Sequence, residues 1–493
     1  MTDNTLNWKS LLWLLAGPVA FYLLREGYLD LGLSVAERGV LATTAWMALW
    51  WVSEIVPTAV TALLPIALFP LTGVVRIEDT TRHYGHPYIF LFLGGFLLAA
   101  GMEKWALHKR IAISIIRAIG TRPDRIVLGF MLATGFVSMW ISNTATAVML
   151  MPVATSLLQH RKGSRIPDSV PLADRKREEH LAKALMLGVA YASSIGGIAT
   201  LIGTPPNLVL AGIWNEYSGT NLEFIDWMLF AFPLCLILLL GTWWYLTHMA
   251  FPVYVRRQNA PAAAAAAADE VEVEGLGPIQ ANEKKVLWVF VAMVLAWVFR
   301  SILIEPWLPA FDDTLIALCG GLLLFLIPST GGKGALLDWD DTRSLPWGIL
   351  LLFGGGMALA HGFEQSGLAT RIGETLVQFR GIHPLLFVFM VVVGMSLLTE
   401  FTSNLAATTM ILPVLLPVAA GLNQSPLYLL SAASMAASCA FMMPVSTPPN
   451  AVVFSTGQLK VRDMAMAGIF VNILSALLIG FGIYYYMPLI FQK

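Results

Sequence analysis

Charged residues are unusually scarce in this sequence. Asp, Glu, Lys and Arg make up only 12% of its 493 residues, where a soluble domain has about 25%, while 57% of the residues are hydrophobic. Such a composition excludes a water-soluble globular protein. The net charge of −1 offers no basic surface to a nucleic acid, so a nucleic-acid partner is excluded as well. An integral membrane protein is indicated.

Cysteine is rare in this sequence, and the common hydrolase motifs are absent. The three cysteines, Cys235, Cys319 and Cys439, stand in apolar runs without the spacing of metal ligands, and we predict that all three are buried small side chains. No HExxH or GxSxG motif and no pair of intramembrane aspartates occurs in the chain. These absences argue against a membrane-embedded enzyme, and no organic cofactor is expected.

Long apolar runs fill most of the chain. They extend over 17 to 37 residues, and a transmembrane helix needs about 20. The first run, Leu11 to Leu24, lacks a small-residue cleavage site, which predicts a first span rather than a cleavable signal. The run from 39 to 75 is long enough for two helices that turn near Pro57. We predict eleven transmembrane helices in all.

An internal repeat organises the chain. Ser142-Asn143-Thr144-Ala145 and Ser403-Asn404-Leu405-Ala406 are polar stretches inside apolar runs, and 261 residues separate their asparagines. The same offset superposes Gly94-Gly95 on Gly355-Gly356. One constant offset over a long stretch indicates two structurally equivalent halves.

Each half holds a hairpin and a broken helix. The polar tip divides residues 127–158 into two arms of about 15 residues, each too short to cross the bilayer. We therefore predict a re-entrant hairpin there and a second one at 385–420. Prolines interrupt the following apolar runs, 184–214 and 426–455, in the motifs Gly203-Thr204-Pro205-Pro206-Asn207 and Ser446-Thr447-Pro448-Pro449-Asn450. Because a helix cannot continue through such a motif, each run is predicted to form two half-helices.

The distribution of basic residues predicts that the two halves are inverted in the membrane. Lys104 to Arg125 holds six Lys or Arg and Arg161 to Lys183 holds seven, which places both segments in the cytoplasm. The equivalent segment 365–386 has two, and 421–426 has none. We expect the first hairpin to enter from the cytoplasm and the second from outside, with the N-terminus inside and the C-terminus outside.

The tips carry groups that suit an anion and a hard cation together. Inverted repeats whose broken helices meet at mid-membrane are the architecture of secondary transporters. Half-helix N-termini offer N–H groups to a carboxylate, and unwound carbonyls offer oxygen to Na⁺. No lysine or arginine lies in either tip, so an anion there needs helix ends and co-bound cations for neutralisation. The neutral polar groups are Ser142, Asn143, Thr144, Thr204, Asn207, Ser403, Asn404, Thr447 and Asn450.

These motifs resemble those of a known family. WISNTATAVMLMP, IGTPPN, TEFTSNLAATTMILP and VSTPPN, in this order, resemble the divalent anion/sodium symporter family of sodium-coupled dicarboxylate, tricarboxylate and sulfate transporters. The likeness covers essentially the whole chain. It implies an elevator-type secondary transporter in a bacterial cytoplasmic membrane, a homodimer whose transport domain moves against a scaffold, and two or more Na⁺ as coupling ions.

On this resemblance the chain divides into five segments. They are scaffold helices and a cytoplasmic surface helix at 1–125; a first transport half at 126–253, with the hairpin 127–158, the broken helix 184–214 and a helix at 226–250; a cytoplasmic linker at 254–285; scaffold helices and an outer surface helix at 286–383; and a second transport half at 384–493, with the hairpin 385–420, the broken helix 426–455 and a helix at 464–488.

The resemblance also implies the ligands. Na⁺ would be bound by Ser138, Ser142, Asn143 and Gly197 in the first half and by Thr399, Thr402, Asn404 and Ser446 in the second. The substrate would be held by Ser142, Asn143, Thr144, Ser403, Asn404, Thr447 and Pro448, with Thr204 and Pro205 nearby. Ser138 and Thr399 are 261 residues apart, as the repeat requires of two residues with one role.

Three ionisable side chains stand in the apolar runs. Glu54 and Glu400 have apolar surroundings, where acidic residues are candidates for function. For Glu400, beside the second tip, we favour a structural hydrogen bond. We interpret His361 as a packed helix residue.

The leading functional prediction is sodium-coupled import of a C4-dicarboxylate such as succinate, malate or fumarate. A dicarboxylate exchanger and a sulfate or citrate transporter of the same fold are the alternatives. A channel is disfavoured, because two opposed hairpins indicate alternating access.

Overall fold

Helices are the predominant structure of the described residues. This structure, a computed structural model, describes residues 8–28, 32–120, 122–162, 172–253, 277–332, 334–376 and 381–491. An isolated bridge between Pro328 and Ala335 is the only strand-like pairing among them. The prediction of an all-helical protein is confirmed. Residues 254–276 of the predicted linker and 163–171 of the predicted basic loop lie outside the described residues.

Among the residues described before the first hairpin there are seven α-helices. They are α1 Trp8–Arg25, α2 Val35–Ser53, α3 Thr58–Thr61, α4 Leu64–Thr72, α5 Ile77–Arg82, α6 Pro87–Lys104 and α7 Leu107–Ile119. A turn near Pro57 is present as expected, because Glu54 ends α2 with a left-handed φ of 49° and Pro57 precedes α3. A short 3₁₀ turn, His83–Gly85, connects α5 to α6.

The amphipathic helix α7 has the character expected of a surface helix. It buries Leu107, Ile113 and Ile116 on one side. Lys109 and Arg117 are exposed on the other. Its equivalent in the second half is the short helix introduced below as α16.

The first hairpin and the first broken helix have the predicted order. The hairpin arms are α8 Pro123–Ser138 and α9 Asn143–Lys162, the halves of the broken helix are α10 Leu172–Ile198 and α11 Pro205–Ser218, and α12 Phe224–Tyr245 follows. Thr204 has an extended backbone immediately before two prolines. Because neither Pro205 nor Pro206 has an N–H, α10 cannot continue into α11.

The second half repeats this order. Its helices are α13 Ala281–Val298, α14 Asp313–Leu326, α15 Trp347–Gln365, α16 Leu368–Leu376, the hairpin arms α17 Pro384–Thr399 and α18 Asn404–Gly421, the half-helices α19 Pro426–Ala437 and α20 Pro448–Phe454, and finally α21 Val461–Phe481 and α22 Met487–Phe491. Each predicted hairpin and broken helix therefore coincides with a pair of helices.

These helices differ in whether they are long and apolar enough to cross a membrane. Within the described residues, five helical stretches are long and apolar enough to cross a membrane alone: Ile77–Lys104, Lys176–Ile198, Phe224–Ala250, Asn404–Gly421 and Val461–Phe491. Other apolar helices have 10 to 17 residues. Two of the five longer stretches belong to the arm α18 and the half-helix α10, so length alone does not separate arms and half-helices from spans. The prediction of three buried cysteines is wrong for Cys319, which is exposed on α14, while Cys235 and Cys439 are buried.

The two halves interlock around their broken helices. Arm α8 packs along α10, and arms α17 and α18 pack along α19. Helix α9 also contacts α20, and α18 contacts α11, so each hairpin contacts the short half-helix of the other half. Helices α6 and α14 form a separate close pair, in which a Cβ on Gly94 would collide with the backbone of Ala317. This interlocking brings the two polar tips to one place.

Candidate functional site

A single cavity of about 830 Å³ contains both hairpin tips and both proline motifs. All of the predicted substrate residues line it: Ser142, Asn143, Thr144, Thr204, Pro205, Ser403, Asn404, Thr447 and Pro448. Thr402 and Ser446, predicted as sodium ligands, line it as well. Ser138 and Thr399 are fully buried behind the tips. The structure thus brings together residues that are up to about three hundred positions apart in the chain.

Three further segments line the cavity. Residues 52–54 at the end of α2, Phe96 to Glu103 on α6, and Ser344–Pro346 before α15 contribute to it. Glu54 and Glu103 bring the only charged side chains among the described residues of the lining. The expectation that Glu54 has apolar surroundings is wrong, because its side chain is exposed at the helix end that faces this cavity.

Four helices begin at the cavity. Helices α9 and α18 start at Asn143 and Asn404 in the tips, and α11 and α20 start at Pro205 and Pro448. A helix N-terminus has a partial positive charge and unpaired N–H groups. The tips supply most of these donors, since the two prolines at the start of α11 and of α20 have no N–H. The site can therefore stabilise an anion without a lysine or arginine.

Oxygen atoms converge on the side chain of Asn143. One terminal atom of its amide lies 2.7 Å from Ser138 Oγ, 3.1 Å from the Ser193 carbonyl oxygen and 3.3 Å from the Gly203 carbonyl oxygen. Three oxygens around one position require either an N–H donor or a cation there. The amide satisfies them by placing its NH₂ group toward them. If the amide turns by 180°, its Oδ1 joins the other three oxygens, and the four can surround a cation.

Gly197 is part of this oxygen cluster. A Cβ at position 197 would collide with the Asn143 side chain, so only glycine fits beside it. Ser138 Oγ is held in place by donating to the Ser193 carbonyl at 2.6 Å. Three members of the predicted first set of sodium ligands, Ser138, Asn143 and Gly197, therefore lie together, and the fourth, Ser142, precedes Asn143 in the tip. Na⁺ is a hard cation that takes neutral oxygen ligands of this kind.

The second tip contains acceptor oxygens that lack a donor. Asn404 Oδ1 and Asn450 Oδ1 are buried without a hydrogen-bond partner among the described residues. Ser446 Oγ lies 2.9 Å from Asn450 Nδ2 and donates to the Met443 carbonyl at 2.8 Å. An orphaned buried acceptor costs free energy unless a cation or donor reaches it. Asn450, which the predicted sodium ligands do not include, belongs with Asn404 in this respect.

Thr399 and Thr402 have different surroundings from Ser138. Each hydroxyl donates to a carbonyl in its own helix, Thr399 to Met395 at 3.0 Å and Thr402 to Leu398 at 2.8 Å. Their lone pairs remain available as ligands, since both hydroxyls act here as donors. The two tips are therefore equivalent in sequence position but not in hydrogen bonding.

Glu400 fastens the second hairpin to the second broken helix. Its fully buried carboxylate accepts from the backbone N–H groups of Phe441, Met442 and Met443 at 2.9 to 3.1 Å. Asn472 on α21 donates to it at 2.7 Å. These contacts agree with a structural hydrogen-bonding role and leave no acceptor of this carboxylate directed at the cavity.

The asparagine of each proline motif donates hydrogen bonds to carbonyl groups at the break in its helix. Asn207 Nδ2 donates to the carbonyls of Ile198 and Thr200 at 3.0 and 2.8 Å. Asn450 Nδ2 donates to those of Ala440 and Met443, both at 3.1 Å. Each amide thus replaces hydrogen bonds that the unwound segment cannot make within a helix. Repetition of the motif was a sequence signal for this role, whereas the carbonyl partners were not readable from residue types.

Known proteins resemble this chain over nearly its whole length. The family model described as the sodium:sulfate symporter transmembrane region matches residues 5–492. A protein named sodium-dependent dicarboxylate transporter SdcS, from Staphylococcus saprophyticus subsp. saprophyticus, is 39% identical over 490 residues, covering 99% of this chain and 93% of its own. Its namesake from Staphylococcus aureus strain USA300 is 40% identical over 484 residues, covering 97% and 92%.

Two solved structures share the fold at low identity. MtrF of Neisseria gonorrhoeae, from a class of antimetabolite efflux pumps, superposes with a TM-score of 0.55 at 15% identity, covering 82% of this chain and 83% of its own. The YdaH transporter of Alcanivorax borkumensis gives 0.51 at 14% identity, covering 80% and 86%. Both are transporters, and at such identities the likeness concerns the fold alone.

Proposed function

Because this chain belongs to the sodium:sulfate symporter family, we propose that it carries C4-dicarboxylates across the cytoplasmic membrane together with sodium ions. The predicted family is confirmed, and with it the prediction of an integral membrane transporter rather than an enzyme. Relatives about 40% identical over nearly the whole chain are named sodium-dependent dicarboxylate transporters. The observation that carries the proposal for this chain is the cavity shared by two hairpin tips.

The proposed substrate site uses helix ends in place of basic side chains. One carboxylate of the dianion would meet the N-terminus of α9 at Ser142, Asn143 and Thr144, and the other would meet the N-terminus of α18 at Ser403 and Asn404. The starts of α11 and α20, with Thr204 and Thr447, would contribute positive dipole ends from the sides. Since these groups do not fully neutralise a dianion, co-bound cations lower the cost of holding it in the membrane.

Sodium would bind beside the substrate at both tips. The oxygens around Asn143 suit one ion once the amide oxygen turns toward Ser138 and the carbonyls of Ser193 and Gly203. The unpartnered oxygens of Asn404 and Asn450 suit a second, together with Thr399, Thr402 and Ser446. Each tip asparagine then touches ion and anion at once, because an amide has both an acceptor and a donor. Two Na⁺ balance the charge of one dicarboxylate, and a third would make transport sensitive to membrane potential.

We infer the direction in which the cavity opens from the proposed inverted topology. Residues 52–54, Glu103 and Ser344–Pro346 line the cavity, and Glu103 directly precedes the basic segment that starts at Lys104. The positive-inside rule assigns that segment to the cytoplasm. The conformation would therefore be open to the cytoplasm, and transport would require the hairpins and broken helices to move as one body against α1–α7 and α13–α16. A homodimer would hold the scaffold still.

Sulfate is a second candidate substrate, favoured by the description of the matching family model. A tetrahedral dianion is shorter than a C4-dicarboxylate and would reach one tip more easily than two. A substrate that needs both tips should instead lose affinity when either tip is altered.

Uptake by purified protein tests the proposal. Proteoliposomes with an inward sodium gradient should accumulate labelled succinate, whereas potassium or proton gradients of equal size should not drive accumulation. Unlabelled fumarate and malate should compete, and sulfate should not. Succinate accumulation that ignores sodium, or uptake of sulfate but not succinate, would overturn the proposed function.

A further inference from the structure

Two histidines and a glutamate converge away from the transport cavity. His83 lies in the turn before α6, Glu216 near the end of α11, and His361 near the end of α15. His83 Nδ1 is 4.0 Å from Glu216 Oε2, and His361 Nδ1 is 4.0 Å from Glu216 Oε1. The three donor atoms all lie within 4.8 Å of one another. One carboxylate thus faces two imidazoles with its two separate oxygens.

The spacing of these atoms is too wide for direct hydrogen bonds. A hydrogen bond between nitrogen and oxygen needs about 2.7 to 3.2 Å. The imidazole rings are held close, with centroids 4.6 Å apart. The side chains of His83, His361 and Glu216 are 7%, 19% and 30% exposed, so the group is enclosed but reachable. Three facing donor atoms therefore surround a space that none of them fills.

We propose that His83, Glu216 and His361 form a binding site for Zn²⁺ or a closely related transition-metal ion. Two imidazole nitrogens and one carboxylate are a recurrent zinc ligand set that leaves a fourth position for water. Zinc binds such donors at about 2.0 to 2.2 Å, which places tetrahedral ligands about 3.3 Å apart. The donor atoms would have to approach one another by roughly 1 Å, which side-chain rotation supplies. Imidazole ligands disfavour Mg²⁺ and Ca²⁺.

A neighbouring cavity favours access by cations. Glu216 lines a second cavity of about 350 Å³, whose walls also include Glu364 and Glu374. No lysine or arginine is found among the described residues that line it. A concave surface lined by negatively charged carboxylates raises the local concentration of cations. Under this proposal His361 acts as a ligand, where the sequence alone predicted a packed helix residue.

The site would connect the two bodies that move in the proposed mechanism. Glu216 belongs to the broken helix α11, whereas His83 and His361 belong to the segments assigned to the scaffold. This consequence rests on the proposed function. In the proposed orientation the cluster lies at the outer face, while the transport cavity opens to the cytoplasm. A metal ion bound there would hold the carrier in its inward-open state and slow turnover.

Direct binding of zinc tests the site without relying on transport. We expect isothermal titration of the purified full-length protein with ZnCl₂ to show one saturable site per chain. Glu216→Gln, which preserves volume, and His361→Ala should each weaken binding at least tenfold. Glu364→Gln, which removes a carboxylate from the same cavity but not from the cluster, is the matched control and should bind like the parent. Equal binding by parent and cluster variants, or none by the parent, would overturn the proposal.

Sodium-driven uptake tests the mechanical consequence separately. Zinc added outside proteoliposomes should reduce succinate uptake at least fivefold in the parent and in Glu364→Gln, and a chelator should restore it. Glu216→Gln and His361→Ala should remain uninhibited. Zinc that binds the cluster but leaves uptake unchanged would refute the clamp and keep the metal site. If the parent shows no sodium-driven uptake, the proposed function fails while the titration still decides the site.

Discussion

The two hairpin tips occupy equivalent positions but are fastened by hydrogen bonds of different number and charge. Residues 139 and 400 correspond by the repeat offset. In the first half, the backbone carbonyl of Met139 accepts a hydrogen bond from Thr200 at 2.6 Å. In the second half, the carboxylate of Glu400 accepts three backbone N–H groups of the broken segment. In both halves the unwound segment is the donor, but the first uses one hydroxyl toward a neutral carbonyl and the second uses three backbone N–H groups toward a carboxylate.

This difference determines what each tip can bind. Around Asn143, the carbonyl oxygens of Ser193 in α10 and of Gly203 in the unwound segment gather where a cation would be stabilised. Around Asn404, the N–H groups of the unwound segment are already occupied by Glu400, and the amide oxygens of Asn404 and Asn450 are left without partners. The first tip resembles a preformed cation site. The second has acceptors that a cation or a rearrangement must complete.

The largest expected effect concerns movement of the first half relative to the scaffold helix α6. An ideal Cβ at Gly95 on α6 would lie 3.6 Å from Ile202 Cβ in the first unwound segment. That separation suits a disulfide, whose Cβ atoms lie about 3.5 to 4.5 Å apart. Oxidised Gly95→Cys/Ile202→Cys protein, in a background without the native cysteines, should lose essentially all succinate uptake, and reduction should restore it.

The control disulfide lies within the proposed scaffold. Gly348 on α15 approaches Ala59 on α3, with an ideal Cβ 3.2 Å from Ala59 Cβ, so Gly348→Cys/Ala59→Cys should cross-link after a small adjustment. Oxidation of this pair should leave most transport intact. Full transport by completely oxidised Gly95→Cys/Ile202→Cys protein would show that α6 and the first half do not move relative to each other.

Opposite membrane orientation of the two halves can be tested at a matched pair of positions. Ser114 on α7 and Thr375 on α16 are both exposed and are equivalent by the repeat offset. Each donates to a backbone carbonyl one turn earlier, that of Arg110 or Arg371. In a cysteine-free background, Ser114→Cys should react with an impermeant thiol reagent only from the cytoplasm and Thr375→Cys only from outside. Labelling of both from one side would eliminate the inverted repeat.

Removal of the tip asparagines should separate ion binding from stability. Asn143→Ala and Asn404→Ala should each raise the sodium concentration for half-maximal uptake about tenfold or more, the equivalent of about 1.4 kcal/mol. Only Asn143→Ala should also lower the free energy of unfolding, by about 1 kcal/mol, because only the Asn143 amide satisfies three oxygens in the ion-free protein. Sodium activation curves and thermal unfolding in detergent check both. An unchanged sodium curve in either variant would mean that its asparagine is not a ligand.

The fastening of the two hairpins should differ in strength. Glu400→Gln places an NH₂ group among N–H donors and leaves a buried network unsatisfied, so we expect a loss of about 3 kcal/mol in stability. Thr200→Val removes one neutral hydrogen bond to the Met139 carbonyl and should cost about 1 kcal/mol. Denaturation of both purified variants under one condition gives the comparison. Equal losses would contradict the asymmetry inferred from the hydrogen bonds.

Sequence patterns could anticipate the helices but not their partners. Apolar length, paired polar tips and Pro-Pro-Asn motifs predicted where the helices on either side of both tips and both breaks meet, because each rests on local backbone chemistry. The start of the first broken helix was not predicted as well, because α10 begins at Leu172 and not at 184. The carbonyls of Ser193 and Gly203 gave no sequence signal, since every residue has a carbonyl. His83, Glu216 and His361 are distributed over almost three hundred positions, so only tertiary packing brings them together. Tertiary packing alone also brings residues 344–346 to the wall of the transport cavity.

The smallest expected effect concerns the one tip position where the repeats differ in polarity. Thr144 in the first tip corresponds to Leu405 in the second, and both line the cavity. Leu405 also packs against buried apolar side chains, so its methyl groups serve both the cavity and the core. A threonine there would add one hydrogen bond for an anion and would remove some apolar contact.

We therefore expect Leu405→Thr to change substrate selectivity by up to about tenfold, the worth of roughly one hydrogen bond. The additional donor should favour anions with more acceptors, citrate or sulfate, over succinate. The sodium activation curve should remain nearly unchanged, because position 405 is not among the proposed ion ligands. Competition of citrate and sulfate against labelled succinate measures this, with Thr144→Leu as the reciprocal variant that should shift selectivity the other way. A lower unfolding temperature with unaltered competition in both variants would instead show that position 405 acts through packing alone.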